Sequence, residues 1–245
     1  MEELVFSRKY KCWRDRGMKK IALILAGGVG TRSGEKIPKQ FVEINRKPLI
    51  VYTLEKFQEC NSVDGIVVAC VENWIPYLEE YVKLFNISKV LKIVEGGKNG
   101  LDSVKNGLNA LNMCSDEDLV LIHDAVRPFV DVNSIEENIR VASQYGLALT
   151  AVDLLETLVH SNNGIIGDKV IDRDNLKRIL TPQTFNYKLL KKLYEDDSKL
   201  DPIKYPSTFS LYMSTGAKVY CSRGSEKNIK ITYPEDIEYF KKMFS

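Results

Sequence analysis

The sequence lacks the cysteine and histidine patterns of a disulfide-stabilised or zinc-binding protein. Its cysteines are odd in number and include no CxxC pair: Cys12, Cys60, Cys70, Cys114 and Cys221. Only His123 and His160 are available as further soft ligands. We therefore expect neither a structural zinc site nor a disulfide framework.

An excess of one charge and long apolar runs are also missing. Thirty-five Lys and Arg residues face 33 Asp and Glu residues, which leaves a net charge of +2 and no global field to attract nucleic acid or an anionic membrane. No uninterrupted apolar run approaches the ~18 residues that cross a bilayer. The first 18 residues lack the apolar centre of a secretory signal. We therefore expect a cytoplasmic protein with neither nucleic acid nor membrane as a partner.

The start of the chain differs in composition from the rest. Residues 1–18 are basic and mixed, and Met18 directly precedes the first apolar run. We interpret this stretch as a disordered extension or the product of an upstream start codon, in preference to a functional tail. The remaining residues, 19–245, are numerous enough to bury one sizeable core, so we predict a single domain over them.

Short apolar runs, often β-branched, recur along the chain, as is typical of strands buried on both faces. They occupy residues 21–26, 65–71, 89–94, 119–123 and 147–152. Segments with helical spacing lie between them, at 49–60, 74–85, 102–113 and 134–145. This alternation predicts an α/β fold with a doubly wound, mostly parallel sheet, whose ligands bind at the carboxyl ends of the strands.

The pattern changes after residue 152. Residues 153–175 are polar and turn-forming, with short β-like pieces, and we interpret them as an arm that protrudes from the body. A surface hairpin packed on its own subunit is the alternative. Further on, residues 217–224 predict a last long strand, and residues 228–244 predict a short strand followed by a helix that begins at Pro234.

A glycine-rich loop at 27–40 directly follows the first predicted strand and carries Arg32, Lys36 and Lys39. Glycines let backbone N–H groups approach an anion closely, and cations neutralise a polyphosphate. The loop has no Gly-Lys-Ser/Thr of a Walker A motif. It is also not a clean dinucleotide fingerprint, because Ser33 stands where that motif has its third Gly or Ala. It therefore predicts a triphosphate site of another kind, with a glycine turn bearing solvated charges as the alternative.

Several strings resemble those of the cytidylyltransferases that activate 2-C-methyl-D-erythritol 4-phosphate or D-ribitol 5-phosphate. They lie at 26–32, 38–41, 47–49, 96–108, 123–129, 156–157, 172–173, 181–183, 228–232 and 234–236. The resemblance implies a Rossmann-like nucleotidyltransferase fold and transfer of CMP from CTP to a small polyol phosphate, with pyrophosphate released and Mg²⁺ as cofactor. It also implies a homodimer in which each arm reaches the active site of the second subunit.

The resemblance assigns roles residue by residue. Catalytic roles fall to Arg32, Lys39, Arg173 and Lys230. CTP-binding roles fall to Leu25, Ala26, Gly27, Gly28, Gly30, Thr31, Gly96, Gly97, Asp102, Ser103 and Ala125. Acceptor-binding roles fall to Asp124, Arg127, Thr157, Arg173, Thr181 and Lys230, with Asp124 also beside the metal.

Plainer roles remain open for some of these residues. Asp102 or Ser103 is also a suitable helix N-cap, and Asp124 a suitable turn residue. Arg127 suits either a phosphate or a structural carboxylate, and Arg173 a solvated salt bridge. We interpret His123 as a buried strand-end residue with no acid–base duty.

The choice of acceptor rests on smaller features. The string His123–Phe129, the helix start at 135–138 and Trp74 resemble the ribitol 5-phosphate branch, which we favour over the 2-C-methyl-D-erythritol 4-phosphate branch. Two departures from both branches are Gly100, where the family usually has Arg, and Pro206–Phe209, where it usually has Thr-Asp-Asp/Ala. A nucleotide-sugar pyrophosphorylase that uses UTP or GTP and a non-catalytic nucleotide sensor are the competing functions.

Overall fold

The computed structural model describes residues 17–28 and 37–243. Its strands are β1 (Lys20–Ala26), β2 (Glu43–Ile44), β3 (Lys47–Pro48), β4 (Gly65–Cys70), β5 (Val90–Glu95), β6 (Leu119–Asp124), β7 (Leu147–Asp153), β8 (Leu158–His160), β9 (Lys169–Ile171), β10 (Lys177–Asn186) and β11 (Cys221–Arg223). Its α-helices are α1 (Leu49–Glu59), α2 (Ile75–Leu84), α3 (Gly100–Asn109), α4 (Val132–Tyr145), α5 (Tyr187–Leu193), α6 (Thr208–Met213) and α7 (Pro234–Met243). Short 3-10 turns span Lys39–Phe41, Glu72–Trp74 and Asp197–Lys199.

A seven-stranded sheet in the order β11-β7-β10-β6-β1-β4-β5 forms the centre of the structure. Its neighbouring strands are parallel except for β10, which is antiparallel to both β6 and β7. The α/β fold with a mostly parallel sheet is therefore confirmed. Because β10 alone is reversed, the carboxyl ends of the other six strands share one edge.

Both faces of the sheet are buried, as the apolar runs predict. Along β1, Ala22 and Ile24 join the cluster that contains α1, α2 and α4, whereas Ile21 and Leu23 join the cluster that contains α3 and α5. The helix α3 lies very close to β1, because a Cβ on its Gly107 would stand 2.3 Å from a methyl carbon of Leu23. This close packing fixes where the first turn of α3 meets the sheet edge.

Local signals set most helix boundaries. The side chain of Asp131 accepts a hydrogen bond from the Ser134 N–H at the start of α4, and Gly146 ends that helix in the left-handed region with φ of 81°. The helix α7 begins at Pro234, as predicted. No helix in the described ranges has the length and apolarity needed to cross a bilayer.

The later strands differ from the sequence prediction in three respects. The polar strand β10 was not predicted; it is buried because hydrogen bonds satisfy its polar groups, such as that from Thr150 Oγ1 to Pro182 O (2.7 Å). The predicted strand at 217–224 is only the short β11. Residues 228–232 form no strand in this described stretch, which is instead held by the Ile231 N–H on Val126 O (2.9 Å).

The segment predicted as an arm forms its own two-stranded antiparallel hairpin of β8 and β9, between β7 and β10. It leaves the body at the carboxyl edge of the sheet, and Ile165 and Ile166 near its tip are 88% and 67% exposed. At the other end of the chain, residues 1–16 of the predicted extension lie outside the described residues, and Met18 packs against the core.

Candidate active site

The first loop of the site begins where β1 ends. Leu25 and Ala26 close the strand, and Gly27 and Gly28 follow at the sheet edge. Leu25 also lies in register with Asp124 on the neighbouring β6, so both strands deliver their last residues to the same place. The predicted ligands Gly30, Thr31 and Arg32, with Lys36, lie outside the described residues.

Gln40 connects the C-terminal end of this loop to its first residues by hydrogen bonds. Its side chain is buried, and its Nε2 donates to the carbonyl oxygens of Ala26 (2.8 Å) and Gly28 (2.9 Å). The half-buried Lys39, one residue earlier, is thereby held at the carboxyl end of β1. The sequence motif contained Gln40, but sequence reasoning gave it no role, because an amide that binds backbone carbonyls has no pattern of its own.

The second loop, residues 96–103, packs directly against the first. The Gly96 N–H donates to Cys70 O at the end of β4 (2.6 Å). A Cβ on Gly96 would lie 2.8 Å from the Gly27 Cα, and a Cβ on Gly27 would lie 2.9 Å from Ser103 Oγ. The two glycine loops therefore contact each other through the Gly27 and Gly96 backbone and the Ser103 hydroxyl, with no room for a side chain on either glycine.

Polar side chains tie the second loop to the first turn of α3. Asn99 caps this helix by accepting from the Asp102 N–H (3.0 Å), so the N-cap alternative for Asp102 and Ser103 is wrong. Ser103 Oγ accepts from the Gly97 N–H (2.9 Å) and donates to Asn99 O (2.8 Å). At Gly100, where the family usually has arginine, a Cβ would meet no atom of the described residues within 4 Å.

A cluster of three charges stands at the end of β6. Arg127 Nε donates to Asp124 Oδ2 (2.9 Å), and Lys230 Nζ lies 3.1 Å from the same oxygen. Burial alone would raise the pKa of Asp124, but the two neighbouring cations lower it to about 2. Asp124 is therefore ionised at neutral pH, and the cluster carries a net positive charge that suits a phosphate.

Arg127 is fixed from two sides. Besides Asp124, its guanidinium binds Asn228 O through Nη1 (2.9 Å), and its side chain is only 11% exposed. The structure thus pairs Arg127 with a carboxylate of its own chain, the second of the two roles considered for it. Asn228 is itself buried and donates from Nδ2 to Thr181 O (2.7 Å). Asn228 lies in one of the sequence motifs, but the sequence predicted no role for it.

Ala125 and Thr181 flank this cluster. The Ala125 N–H donates to Leu25 O (3.0 Å), and its carbonyl accepts from Thr53 Oγ1 (2.8 Å), so the main chain after Asp124 is held on both sides. Thr181, an expected acceptor ligand, is buried with its hydroxyl 2.9 Å from His123 Nδ1. Burial lowers the pKa of His123 to about 3, which keeps the imidazole neutral at pH 7.

The remaining expected acceptor ligands, Thr157 and Arg173, lie on the exposed base of the arm. Arg173 Nη1 donates to Leu155 O within the same segment. Among the described residues of one chain, no hydrogen bond or ion pair joins Thr157 or Arg173 to the Asp124 cluster. Hydrogen bonds and ion pairs thus join Asp124, Arg127, Thr181 and Lys230, and within the described ranges they do not include the two arm residues.

Two of the sequence features tied to the acceptor have structural roles. Trp74 stacks on Phe41, with ring centroids 4.5 Å apart, and so packs against the residue that follows the loop anchor Gln40. In the departure at Pro206–Phe209, Ser207 caps α6 through a capping box with Ser210. A helix cap therefore stands where the family usually has carboxylates.

Comparison with known proteins identifies the family. The family profile described as IspD, 2-C-methyl-D-erythritol 4-phosphate cytidylyltransferase, matches residues 20–243. A ribitol-5-phosphate cytidylyltransferase from Lacticaseibacillus paracasei is 36% identical over 223 residues, or 90% of this chain and 95% of that protein. A 2-C-methyl-D-erythritol 4-phosphate cytidylyltransferase from Clostridium botulinum is 41% identical over 219 residues, or 89% and 94%.

The fold of a solved structure agrees with that of this chain. The 4-diphosphocytidyl-2C-methyl-D-erythritol synthase from Anaerococcus prevotii matches with a TM-score of 0.79 and 25% identity, over 93% of this chain and 96% of that one. These similarities confirm the family predicted from the sequence strings. The chain therefore belongs to the IspD family of cytidylyltransferases and is a nucleotidyltransferase.

Proposed function

We propose that the protein transfers CMP from CTP to a small polyol phosphate, with D-ribitol 5-phosphate favoured, and releases pyrophosphate to give a CDP-polyol. The observation that carries the proposal is the close contact of two glycine loops, at Gly27 and Gly96, beside the Asp124–Arg127–Lys230 cluster. The loops offer backbone N–H groups to a triphosphate. The net positive cluster suits the phosphate of the acceptor.

The chemistry asks for positioning and charge neutralisation. An oxygen of the acceptor phosphate attacks the α-phosphorus of CTP in line, the bond from that phosphorus to the bridging oxygen breaks, and pyrophosphate leaves. Both reactants are anions, so cations contribute more than a nucleophilic side chain. Lys39, held at the sheet edge by Gln40, and Lys230 are the described cations we assign to this task, with Arg32 beside them by resemblance.

The carboxylate of Asp124 fits a Mg²⁺ ion carried by the nucleotide. It is ionised, partly exposed and at the sheet edge where ligands bind. Within the described ranges no group of three or more His, Cys, Asp or Glu side chains would enclose a metal. A single carboxylate such as that of Asp124 suits Mg²⁺, which keeps water and phosphate oxygens as most of its ligands. When bound, Mg²⁺ supplies charge neutralisation on the phosphates.

The acceptor assignment rests on the string His123–Phe129, the helix start at 135–138 and Trp74. The relative from Lacticaseibacillus paracasei, named for ribitol 5-phosphate, supports it. The second candidate acceptor is 2-C-methyl-D-erythritol 4-phosphate, favoured by the higher identity, 41%, of the relative from Clostridium botulinum.

Pyrophosphate release tests the proposal. The purified protein would be assayed with each of the four nucleoside triphosphates against ribitol 5-phosphate, 2-C-methyl-D-erythritol 4-phosphate, glycerol phosphate and a sugar 1-phosphate. We expect turnover with CTP and ribitol 5-phosphate. Turnover with CTP and another polyol phosphate would change the acceptor. A strict need for UTP or GTP with the sugar phosphate, or no turnover with any pair, would overturn the proposal.

A homodimer with exchanged arms belongs to the same proposal. It is supported by apolar side chains that the arm exposes, namely Leu155, Val159, Ile165, Ile166 and Val170. It is also supported by the pairing of Arg173 with Leu155 O within the arm, with no hydrogen bond or ion pair, among the described residues of one chain, from Thr157 or Arg173 to the Asp124 cluster. In the proposed dimer, each arm brings these two side chains to the acceptor phosphate in the partner's site.

We place this reaction in the cytoplasm. The four cysteines in the described ranges, Cys60, Cys70, Cys114 and Cys221, are free thiols. Unpaired thiols suit a reducing compartment.

A further inference from the structure

Four residues behind the Asp124 cluster form a closed ring of hydrogen bonds. His123 Nε2 lies 3.3 Å from Arg127 O, and Arg127 Nη1 lies 2.9 Å from Asn228 O. Asn228 Nδ2 lies 2.7 Å from Thr181 O, and the Thr181 hydroxyl lies 2.9 Å from His123 Nδ1. The ring joins β6, β10 and the segment 228–232, which are far apart in sequence.

The direction of the bonds at His123 follows from donor and acceptor chemistry. A backbone carbonyl only accepts, so Nε2, which faces Arg127 O, must carry a hydrogen. The imidazole is fully buried and its centroid lies 4.9 Å from that of the Phe57 ring, an apolar setting that favours the neutral form. Nδ1 therefore carries no hydrogen and accepts from the Thr181 hydroxyl.

The Thr181 hydroxyl, which donates to His123, is also free to accept a second hydrogen bond. Its oxygen, having donated its hydrogen to His123, faces the Asp124 N–H at 3.4 Å as an acceptor. One hydroxyl thus connects the imidazole to the main chain at the end of β6. No proton needs to move for this arrangement to persist.

We propose that His123 is a positioning residue, held as the Nε2–H tautomer, whose place in the ring fixes the distance between Asp124 and Lys230. This inference rests on the proposed function of the cluster. Arg127 Nε donates to the Asp124 carboxylate, and the Arg127 carbonyl oxygen accepts from His123 Nε2. Asn228, two residues before Lys230, is held by the same ring. Without the imidazole, the segment that carries Lys230 loses a restraint relative to β6. The Thr181 hydroxyl, on this view, serves His123 and not the acceptor.

Nitrogen NMR tests the tautomer directly. The chain has only two histidines, so a ¹⁵N-histidine-labelled His160→Gln variant leaves His123 as the one imidazole signal. At pH 7 we expect the two-bond proton–nitrogen pattern of a neutral Nε2–H ring. An Nδ1–H ring or an imidazolium would overturn the proposal. This readout does not depend on catalysis, so it stands even if the proposed function fails.

Kinetics test the positioning role with paired variants. His123→Gln places an amide N–H near the former Nε2 and keeps a donor for Arg127 O, whereas His123→Asn does not reach that carbonyl. We expect His123→Asn to lower kcat about tenfold with KM for CTP nearly unchanged, and His123→Gln to recover most of the loss. A wild-type kcat for the Asn variant, or an effect confined to KM for CTP, would overturn the proposal.

A second pair covers the case in which a His123 variant does not fold. Thr181→Ser keeps the hydroxyl that donates to Nδ1, and Thr181→Val removes it with little change of volume. We expect the Ser variant to keep kcat and the Val variant to lose about tenfold. Equal kcat values for the two folded variants would contradict the ring as a positioning device.

Discussion

At the scale of single residues, the nucleotide loops depend on positions where a side chain has no room. A Cβ on Gly97 would lie 2.1 Å from the Asp102 Cβ and 2.7 Å from the Ser103 N, distances that backbone atoms relieve only by moving. Gly100, three residues later, offers open space to a Cβ as far as the described residues extend. The two glycines therefore form a matched pair for substitution.

We expect Gly97→Ala to lower the free energy of unfolding by about 1–3 kcal/mol and to raise KM for CTP, because the loop must shift to admit the methyl group. Gly100→Ala lies in the first turn of α3 and is expected to leave KM unchanged, with stability equal or higher by up to about 1 kcal/mol. Urea unfolding and steady-state kinetics measure both quantities. Equal effects at the two positions would contradict the steric argument.

Gln40 provides a residue-scale test of loop anchoring. In Gln40→Met, two buried carbonyls lose their donor, so we expect kcat/KM for CTP to fall at least about tenfold, consistent with lost hydrogen bonds at a site that orients Lys39. Gln58→Met is the control, since Gln58 also donates from an amide, to Ser88, but far from the loops in sequence. If both variants keep wild-type kcat/KM, Gln40 is not an anchor for catalysis.

The buried His123 also makes stability depend on pH. Its folded pKa, about 3, lies below the ordinary value of 6.5, so the unfolded chain binds a proton first as pH falls. This group therefore leaves the free energy of unfolding unchanged above pH 6.5. As the pH falls from 6.5 to 3, it lowers that free energy progressively. From pH 7 to 5 this group alone removes about 2 kcal/mol. Urea unfolding at the two pH values should show a decline smaller by that amount in His123→Asn, and an equal decline would refute the assignment.

The sequence predicted those residues whose chemistry is visible in their type and spacing. The loop glycines directly follow strands and Asp124 ends one, so the sequence could predict their placement at the sheet edge. Gln40 and Asn228 were missed because their partners are backbone atoms from other segments, and such contacts exist only once the chain has folded. The Asn99 cap was missed for a simpler reason, since two other capping residues follow it within four positions.

At the scale of elements, the segment Pro206–Phe209 shows how a motif departure is put to use. The Ser207 side chain accepts from the Ser210 N–H at the start of α6, and Thr208 Oγ1 lies 2.8 Å from the buried Tyr194 hydroxyl. The segment therefore has a defined structural role of its own.

We expect Ser207→Ala to lower the free energy of unfolding by about 1 kcal/mol, the usual cost of a lost N-cap, without altering KM for the acceptor. Ser207→Asp keeps a capping oxygen and should retain the wild-type stability. Thermal or urea unfolding of the three proteins decides the matter. A raised acceptor KM in Ser207→Ala would instead tie this segment to substrate binding.

The strand β10 shows where hydrophobic patterning fails. Its residues include Thr181, Gln183 and Thr184, all buried, and the pattern of apolar residues gave no strand there. They tolerate burial because partners on neighbouring elements satisfy them: Thr184 Oγ1 binds Asn138, whose Nδ2 in turn reaches Ser222 Oγ. Polar networks of this kind depend on several segments at once. Conversely, residues 228–232 have apolar alternation but form no strand, because Asn228 binds Thr181 O and Lys230 pairs with Asp124 at the candidate site.

At the scale of the whole molecule, β-α-β alternation predicted the fold class because each crossover fixes the direction of the next strand. The convergence of the loops on one edge followed from it. The position of Thr157 and Arg173 relative to the acceptor did not, since in the proposed dimer it depends on a second chain.

Mixing of inactive subunits tests the proposed arm exchange. Lys39→Ala and Arg173→Ala chains, each inactive alone, would be unfolded together and refolded at equal amounts. In a mixed dimer, one site combines intact Lys39 with the partner's intact arm, so about a quarter of the wild-type activity should return. Mixing without refolding, before subunits exchange, is the control. A refolded mixture that stays inactive would refute catalysis across the dimer.

The separation of the hairpin β8–β9 from the seven-stranded sheet has an evolutionary consequence. Residues of the hairpin are largely exposed and take no part in the two main core clusters. Substitutions there carry little penalty for the folding of one chain, whereas substitutions in the glycine loops disturb close backbone contacts. In the proposed dimer, a lineage thus changes the acceptor contacts of its arm without rebuilding the proposed CTP site, which suits a family whose members are named for two different polyol phosphates.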